Sequence, residues 1–166
     1  MLADGVDSVG PTTWADLGCG DGTFTCALAE LTAPGSVIHA VDLDRAVLRR
    51  IPSSQQNVRI IVHQRDFVRE PLPLADLDGI LMANSLHFVR DQAACVRRVE
   101  AHMKPRRRFL IVEYDTDLAN RWVPYPVSQT ALAALFESLG YASFRILASR
   151  PSLHRRAPLY AASIGS

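Results

Sequence analysis

The stretch Thr13-Trp14-Ala15-Asp16-Leu17-Gly18-Cys19-Gly20-Asp21-Gly22 decides how the chain reads. Its first five residues have the composition of a short buried strand. Apolar residues at 24, 27, 28 and 31 then fall on one face of a helix from Phe24 to Leu31, which Pro34 and Gly35 stop. Between strand and helix lie three glycines, which let a backbone turn sharply and approach a ligand with no Cβ in the way. Their spacing is G-x-G-x-G. The dinucleotide fingerprint wants a glycine at position 23, where this chain has Thr23, and it seats a pyrophosphate on the helix N-terminus. Asp21, inside the turn, repels such an anion, so the loop suits a cofactor without phosphates.

Outward from that loop the chain alternates. Ser36–Val41 reads as a strand, Asp44 as the cap of a helix to about Arg50, and Val58–Val62 as a third strand. Pro71 and Pro73 speak against a full helix in the next connection. Leu77–Ala83 is a fourth strand, Asp91–Met103 a helix and Arg108–Glu113 a fifth strand. Tyr114 to Val127 is the longest loop-like stretch, and loops of that length often carry function. Ser128 caps a last helix ending at Gly140, and Ser143–Ala148 with Leu159–Ile164 form a closing pair of strands. These two lie too close in sequence for a crossover helix and are therefore antiparallel. The expectation is one doubly wound α/β domain over residues 1–166: a mostly parallel seven-stranded sheet, helices on both faces, a C-terminal antiparallel hairpin and a loose lead-in over residues 1–12.

Twenty residues after Gly22 the second strand ends in Val41-Asp42. A carboxylate at a strand end is a pure acceptor that can take both hydroxyls of a ribose. Asp44 competes for that role but is the better helix cap. Together with the glycine loop, Asp42 points to an adenosine-containing ligand lying over the strand ends.

With these residues in place the chain resembles the class I, Rossmann-like S-adenosylmethionine-dependent methyltransferases, small-molecule branch. Asp16 to Gly22 is similar to their first motif and Val41-Asp42-Leu43-Asp44 to their second. Arg65-Asp66-Phe67 is similar to their adenine segment, Leu77 to Phe88 to their fourth-strand motif, and Pro105 to Glu113 to their fifth strand. The resemblance covers about residues 13 to 164. It implies S-adenosylmethionine as cofactor, with Asp16, Gly18, Cys19 and Gly20 at the loop, Asp42 on the ribose and Leu43 and Phe67 beside the adenine. Asp66 would face the adenine amino group, and Asn84 the methionine part or the substrate. His87 and Glu113 are the candidate catalytic residues, His87 because its proton affinity lies near neutrality. Each has a plainer alternative: turn or cap for Asp16 and Asp66, semi-buried packing for Leu43 and Phe67, a structural role for His87. Tyr114 and Asp115 end the fifth strand on the same side.

The composition narrows the partners. Of 166 residues 48% are hydrophobic, enough for a core, and the net charge of +1 gives no overall field to draw nucleic acid or an anionic membrane. Lys104–Arg108 and Arg155-Arg156 read as solvated charge at a helix end and in a hairpin loop. No Asn-Pro-Pro-aromatic sequence follows the fourth strand, as in amino-methylating DNA enzymes, and no cysteine follows a proline, as in cytosine-C5 enzymes. The expected partner is a small-molecule substrate, with no nucleic acid, membrane or metal. Cys19, Cys26 and Cys95 are odd in number and lack metal-ligand spacing, and no secretory signal is visible, so a cytoplasmic protein with reduced thiols is expected.

The family commonly has helices before the first strand that cover the cofactor, whereas twelve residues precede it here. The side they would cover is then open, or closed by the 114–127 loop, a second copy or a partner chain, or the chain is truncated relative to the working protein. Two alternatives to an active methyltransferase follow: a non-catalytic or partner-dependent cofactor-binding domain, and an NAD(P)-dependent oxidoreductase, the latter disfavoured by Thr23 and the C-terminal hairpin.

Overall fold

The computed structural model describes residues 1–6, 9–151 and 157–166. Five strands run parallel in the order β4 (Val58–Gln64), β2 (Val37–Asp42), β1 (Thr13–Leu17), β5 (Gly79–Ala83), β6 (Arg108–Tyr114). The antiparallel pair β8 (Leu159–Gly165) and β7 (Ser143–Arg150) extends the sheet beyond β6. The period-two alternation of strand side chains divides the core in two. Ala15, Leu17, Ile80 and Met82 face α3 (Gln92–Glu100) and α4 (Gln129–Ser138). Trp14, Ile38, Leu81 and Leu110 face α1 (Thr23–Leu31) and α2 (Arg45–Leu48). Helices thus cover both faces. No helix among the described residues is long and apolar enough to cross a membrane.

Helix ends follow the sequence closely. The side chains of Asp44, Asp91 and Ser128 each accept a hydrogen bond from a first-turn backbone N–H, of Ala46, Ala94 and Ala131. Gly140, at φ +88°, donates to Glu137 O while Tyr141 donates to Phe136 O, the paired bonds of a Schellman stop. The 71–78 segment makes no helix, and its Leu72 and Leu74 instead plug the first core.

Two expectations need correction. The sheet has eight strands, not seven: Ser54–Gln55 forms a two-residue strand β3, antiparallel to β4. Gln56 and Asn57, both at positive φ, make the tight turn between them, and two residues are too few to leave a periodic signature. The lead-in is not loose throughout. Ala3–Gly5 forms a 3-10 turn, and Leu2 joins the second core. At Gly5 an added Cβ would come within 2.5 Å of Leu110 Cδ2 and 2.7 Å of Leu147 Cδ1, so a larger residue here would push these two leucine side chains aside. His154, Arg155 and Arg156 of the basic hairpin connection lie outside the described residues.

The strand order positions the site. The chain builds β1, then β2 and β4 on one side, then crosses back to place β5 on the other side of β1. That reversal leaves a crevice at the C-terminal ends of β1 and β5, where open α/β sheets bind ligands.

Candidate cofactor and acceptor site

Each glycine of the β1–α1 loop has its own reason to be there. Gly18, at φ +76°, sits where a Cβ would lie 2.5 Å from Ser85 Cβ, because the ends of β1 and β5 touch at this point. Gly22, at φ +87°, would put a Cβ 2.8 Å from Ile51. Gly20, at φ +55°, has nothing within 4 Å of the Cβ position. Two glycines therefore serve packing and one borders open space. Asp21 folds back on Thr23, accepting from its N–H (3.3 Å) and hydroxyl (2.8 Å). These bonds hold the exposed Asp21 carboxyl below its ordinary range, so the helix start presents a negative charge.

Asp42 stands at the end of β2, and its carboxylate is pinned by two backbone groups. Gly20 N–H donates to Oδ2 and Asp44 N–H to Oδ1, both at 2.9 Å. Each oxygen keeps lone-pair capacity for a further donor. Beside it opens a cavity of about 550 Å³ lined by Gly18, Asp42, Leu43, Arg65–Arg69, Asn84, Ser85 and Phe88. Asn84 holds φ +53° while its N–H still donates to Val112 O at 2.8 Å. The chain therefore kinks as it leaves β5, and Asn84 Oδ1 is buried with no hydrogen-bond partner in the structure. A buried acceptor without a donor is costly unless a ligand supplies one. Phe67 forms a buried wall and Leu43 an exposed one. Asp66 does what its plainer reading holds: Oδ1 accepts from Val68 N–H (2.9 Å) and Arg69 N–H (3.2 Å), leaving Oδ2 3.8 Å from Arg69 Nε.

Asp16 does not line the cavity. It is fully buried beneath the loop, with Oδ2 accepting from the Thr25 hydroxyl at 2.6 Å and Oδ1 unpartnered. Burial raises its carboxyl, the Thr25 bond lowers it and the charge of Asp42 raises it, leaving it pushed up to about 7. Cys19 is buried in the same place, and burial with Asp16 and Asp42 pushes its thiol far above the ordinary range.

Beside the cavity, the 3-10 turn Leu86–Phe88 after β5 meets the end of β6. Glu113 is completely buried and takes two bonds from one residue: His87 N–H donates to Oε1 at 3.2 Å and the ring Nδ1–H to Oε2 at 2.6 Å. A carboxylate can only accept, so it takes the proton on Nδ1 and leaves Nε2 as the ring's other nitrogen. His87 is itself buried, with Phe88 against it at 4.3 Å between ring centroids and Tyr114 at 6.4 Å. Phe88 is 59% exposed and lines the cavity, linking the dyad to it. The 114–127 loop closes in behind: Tyr125 N–H donates to His87 O at 3.0 Å.

Of the residues singled out from sequence, Gly18, Asp42, Leu43, Asp66, Phe67 and Asn84 meet on one cavity. Asp16, Cys19 and Gly20 form the loop and its underside, and His87 and Glu113 form a separate buried pair. Sequence reasoning did not single out Ser85, whose hydroxyl donates to Leu17 O at 2.6 Å and ties β5 to β1. Nor did it single out Thr25, Phe88 or the stacking wall that Phe88 makes. A one-turn spacing from the helix start marks Thr25; nothing local marks Ser85.

This doubly wound sheet, with its glycine loop, strand-end carboxylate and antiparallel hairpin, is the class I, Rossmann-like methyltransferase fold. Residues 15–109 match the family model described as a methyltransferase domain, and the chain belongs to that family. An uncharacterized methyltransferase of Mycobacterium tuberculosis and one of Mycobacterium bovis are each 29% identical over 115 residues, 69% of this chain. The chain spans only 57% of the length of these curated relatives. Among solved structures, the YcgJ protein of Bacillus subtilis superimposes with a TM-score of 0.73 at 14% identity, covering 99% of this chain and 96% of that one. The 1,6-didemethyltoxoflavin-N1-methyltransferase of Burkholderia thailandensis, solved with 1,6-didemethyltoxoflavin and S-adenosylhomocysteine, gives 0.68 at 21% identity over 94% and 71%. At those identities the likeness concerns the fold.

Proposed function

We propose that the chain binds S-adenosylmethionine in the cavity at the ends of β1, β2 and β5 and transfers its methyl group to a small-molecule acceptor beside His87. The observation that carries this reading is the cavity where the pinned carboxylate of Asp42 meets Gly18 and Asn84, a residue whose buried Oδ1 has no partner. An acceptor in want of a donor suits the ammonium of a methionine moiety, and a strand-end carboxylate suits a ribose. The negative Asp21 at the helix start speaks for a ligand without a pyrophosphate.

When bound, the cofactor supplies a methyl group already activated by its sulfonium, so alignment accounts for much of the acceleration. The protein's part is to hold and orient. Asp42 takes the ribose hydroxyls on its remaining lone pairs. Leu43 and Phe67 flank the adenine, and Asp66 offers Oδ2, since its Oδ1 is already used by the turn. Gly18 and Gly20 let the backbone approach, while Asp16 and Cys19 act from beneath as positioning residues. On the acceptor side, Glu113 holds His87 in the tautomer whose Nε2 can take a proton.

Calorimetric titration separates this from its rivals. S-adenosylhomocysteine is expected to bind one-to-one, and Asp42→Ala to weaken it about tenfold or more, the loss of charge-assisted ribose bonds. Tight NADH binding with no S-adenosylhomocysteine binding would overturn the reading. A non-catalytic or partner-dependent domain is favoured by one feature, the exposure of Leu43 and Phe88 at the cavity mouth. Cofactor binding without turnover on any acceptor, with a second chain co-purifying, would establish that alternative.

A further inference from the structure

The cavity wall at Phe67 is held from outside the segment that carries it. Arg65–Arg69 line the cavity, and within that stretch the Asp66 turn closes on itself. Val68 and Arg69 donate to the Asp66 carboxylate, and Glu70 N–H donates to Asp66 O at 2.8 Å. None of these bonds reaches the Phe67 carbonyl. That oxygen accepts from Arg98, whose Nη2 lies 2.5 Å away. Arg98 belongs to the last turn of α3, 31 positions along the chain from Phe67.

The helix is a firm support for such a bond. Its Cys95, Val96 and Val99 are buried in the first core together with Phe67, and Asp91 caps its start. A guanidinium near the C-terminal end of a helix is favoured by the helix dipole, and a charged donor makes a stronger bond than a neutral one. The ring of Phe67 faces another neighbour: its Cε1 lies 3.3 Å from where a Cβ on Gly18 would stand. Phe67 thus bridges helix and glycine loop, its carbonyl tied to the first and its ring against the second.

We propose that Arg98 is a positioning residue for the cofactor: by holding the Phe67 carbonyl it sets the wall against which the adenine packs and the turn from which Asp66 offers Oδ2. This rests on the cofactor reading given above. Removing the bond leaves the turn's own bonds intact but frees the segment to shift as a unit. The ligand must then select the arrangement that the bond held, and its apparent affinity falls by the fraction of chains in that arrangement.

The test is calorimetric titration of the full chain with S-adenosylhomocysteine and with S-inosylhomocysteine, in which a carbonyl replaces the adenine amino group. The wild type is expected to prefer S-adenosylhomocysteine, because the Asp66 carboxylate can accept from an amino group and has no proton to give a carbonyl. Arg98→Met keeps an extended side chain without its donors. It is expected to weaken S-adenosylhomocysteine about tenfold, the scale of one hydrogen bond to a charged group, and to narrow the preference between the two ligands. Arg98→Lys is expected to restore most of the affinity, since one carbonyl takes a single N–H and does not need the guanidinium fork. A merely structural role would lower the unfolding midpoint and weaken both ligands alike. That result, or affinity and preference unaltered in Arg98→Met, would overturn the proposal and leave the cofactor reading in place. Failure of the wild type to bind S-adenosylhomocysteine would overturn both.

Discussion

In the proposed reading the cofactor half, the cavity, and the acceptor half, the buried His87–Glu113 pair beside it, are built on opposite plans. The cofactor half is made by residues near one another along the chain or at adjacent strand ends, and backbone groups fix it: Gly20 and Asp44 on Asp42, Val41 O on Gly18 and Cys19. The acceptor half depends on one buried pair, His87 and Glu113, 26 positions apart, and on a loop that exposes Leu118 and Trp122 while burying Val123 and Val127. The backbone bonds that fix the cavity do not involve the dyad, and the dyad's two bonds do not involve the cavity's carboxylate. The halves should therefore fail separately.

The largest effect is expected on the acceptor side. Glu113→Ala leaves two buried donors, the His87 backbone N–H and ring Nδ1–H, without an acceptor, at about 1–3 kcal/mol for each in urea unfolding. Glu113→Gln keeps the volume and should fold, bind S-adenosylhomocysteine as the wild type does, and lower turnover, because an amide no longer dictates which ring nitrogen of His87 carries the proton. Next comes Asp16. Its folded pKa of about 7 lies above the unfolded value, so the native state keeps the proton longer and stability falls as pH rises from about 4 to about 7. Asp16→Asn cannot ionise. It should flatten that slope and be more stable at pH 8 by up to about 4 kcal/mol, with no difference at pH 4. An unchanged slope in the variant would show that Asp16 is not the titrating group. Smaller still, Gly18→Ala meets Ser85 at 2.5 Å in a left-handed conformation and should cost about 1–3 kcal/mol. Its S-adenosylhomocysteine binding should vanish while the His87–Glu113 pair remains. Loss of binding in Glu113→Gln would show that the halves are coupled, and its retention in Gly18→Ala that the cofactor half does not depend on Gly18.

What the sequence disclosed follows the same division. Asp42, Asp44 and the three glycines are legible because strand end, cap and turn are each set within a few residues. The Gly140 stop and the Asp91 and Ser128 caps are legible for the same reason. Asp66 was readable as a turn cap or an adenine ligand, and only the bonds from Val68 and Arg69 establish the first. His87 and Glu113 stand out singly as polar residues at strand ends. That one holds the other depends on β5 and β6 being neighbours, which no local pattern states. The contact of Ser85 with Leu17, and that of Gly5 with Leu110 and Leu147, likewise follow from packing between remote segments.

The smallest expected effect asks whether the open half stays open once the other is filled. The chain has two tryptophans in contrasting settings: Trp14 packed in the second core, and Trp122 61% exposed on the 114–127 loop, with the Arg121 guanidinium 5.2 Å from its ring centre. Iodide should quench the Trp122 emission and leave that of Trp14, and Trp122→Phe should abolish the quenchable fraction with a stability change within about 0.5 kcal/mol. If the cofactor half is already organised, saturating S-adenosylhomocysteine leaves iodide access to Trp122 unaltered, because Gly18, Asp42 and Asn84 need no help from the loop. Protection of Trp122 by S-adenosylhomocysteine would mean that the loop folds over the cofactor. The division into a fixed half and an adaptable half would then give way to a single site that closes on binding.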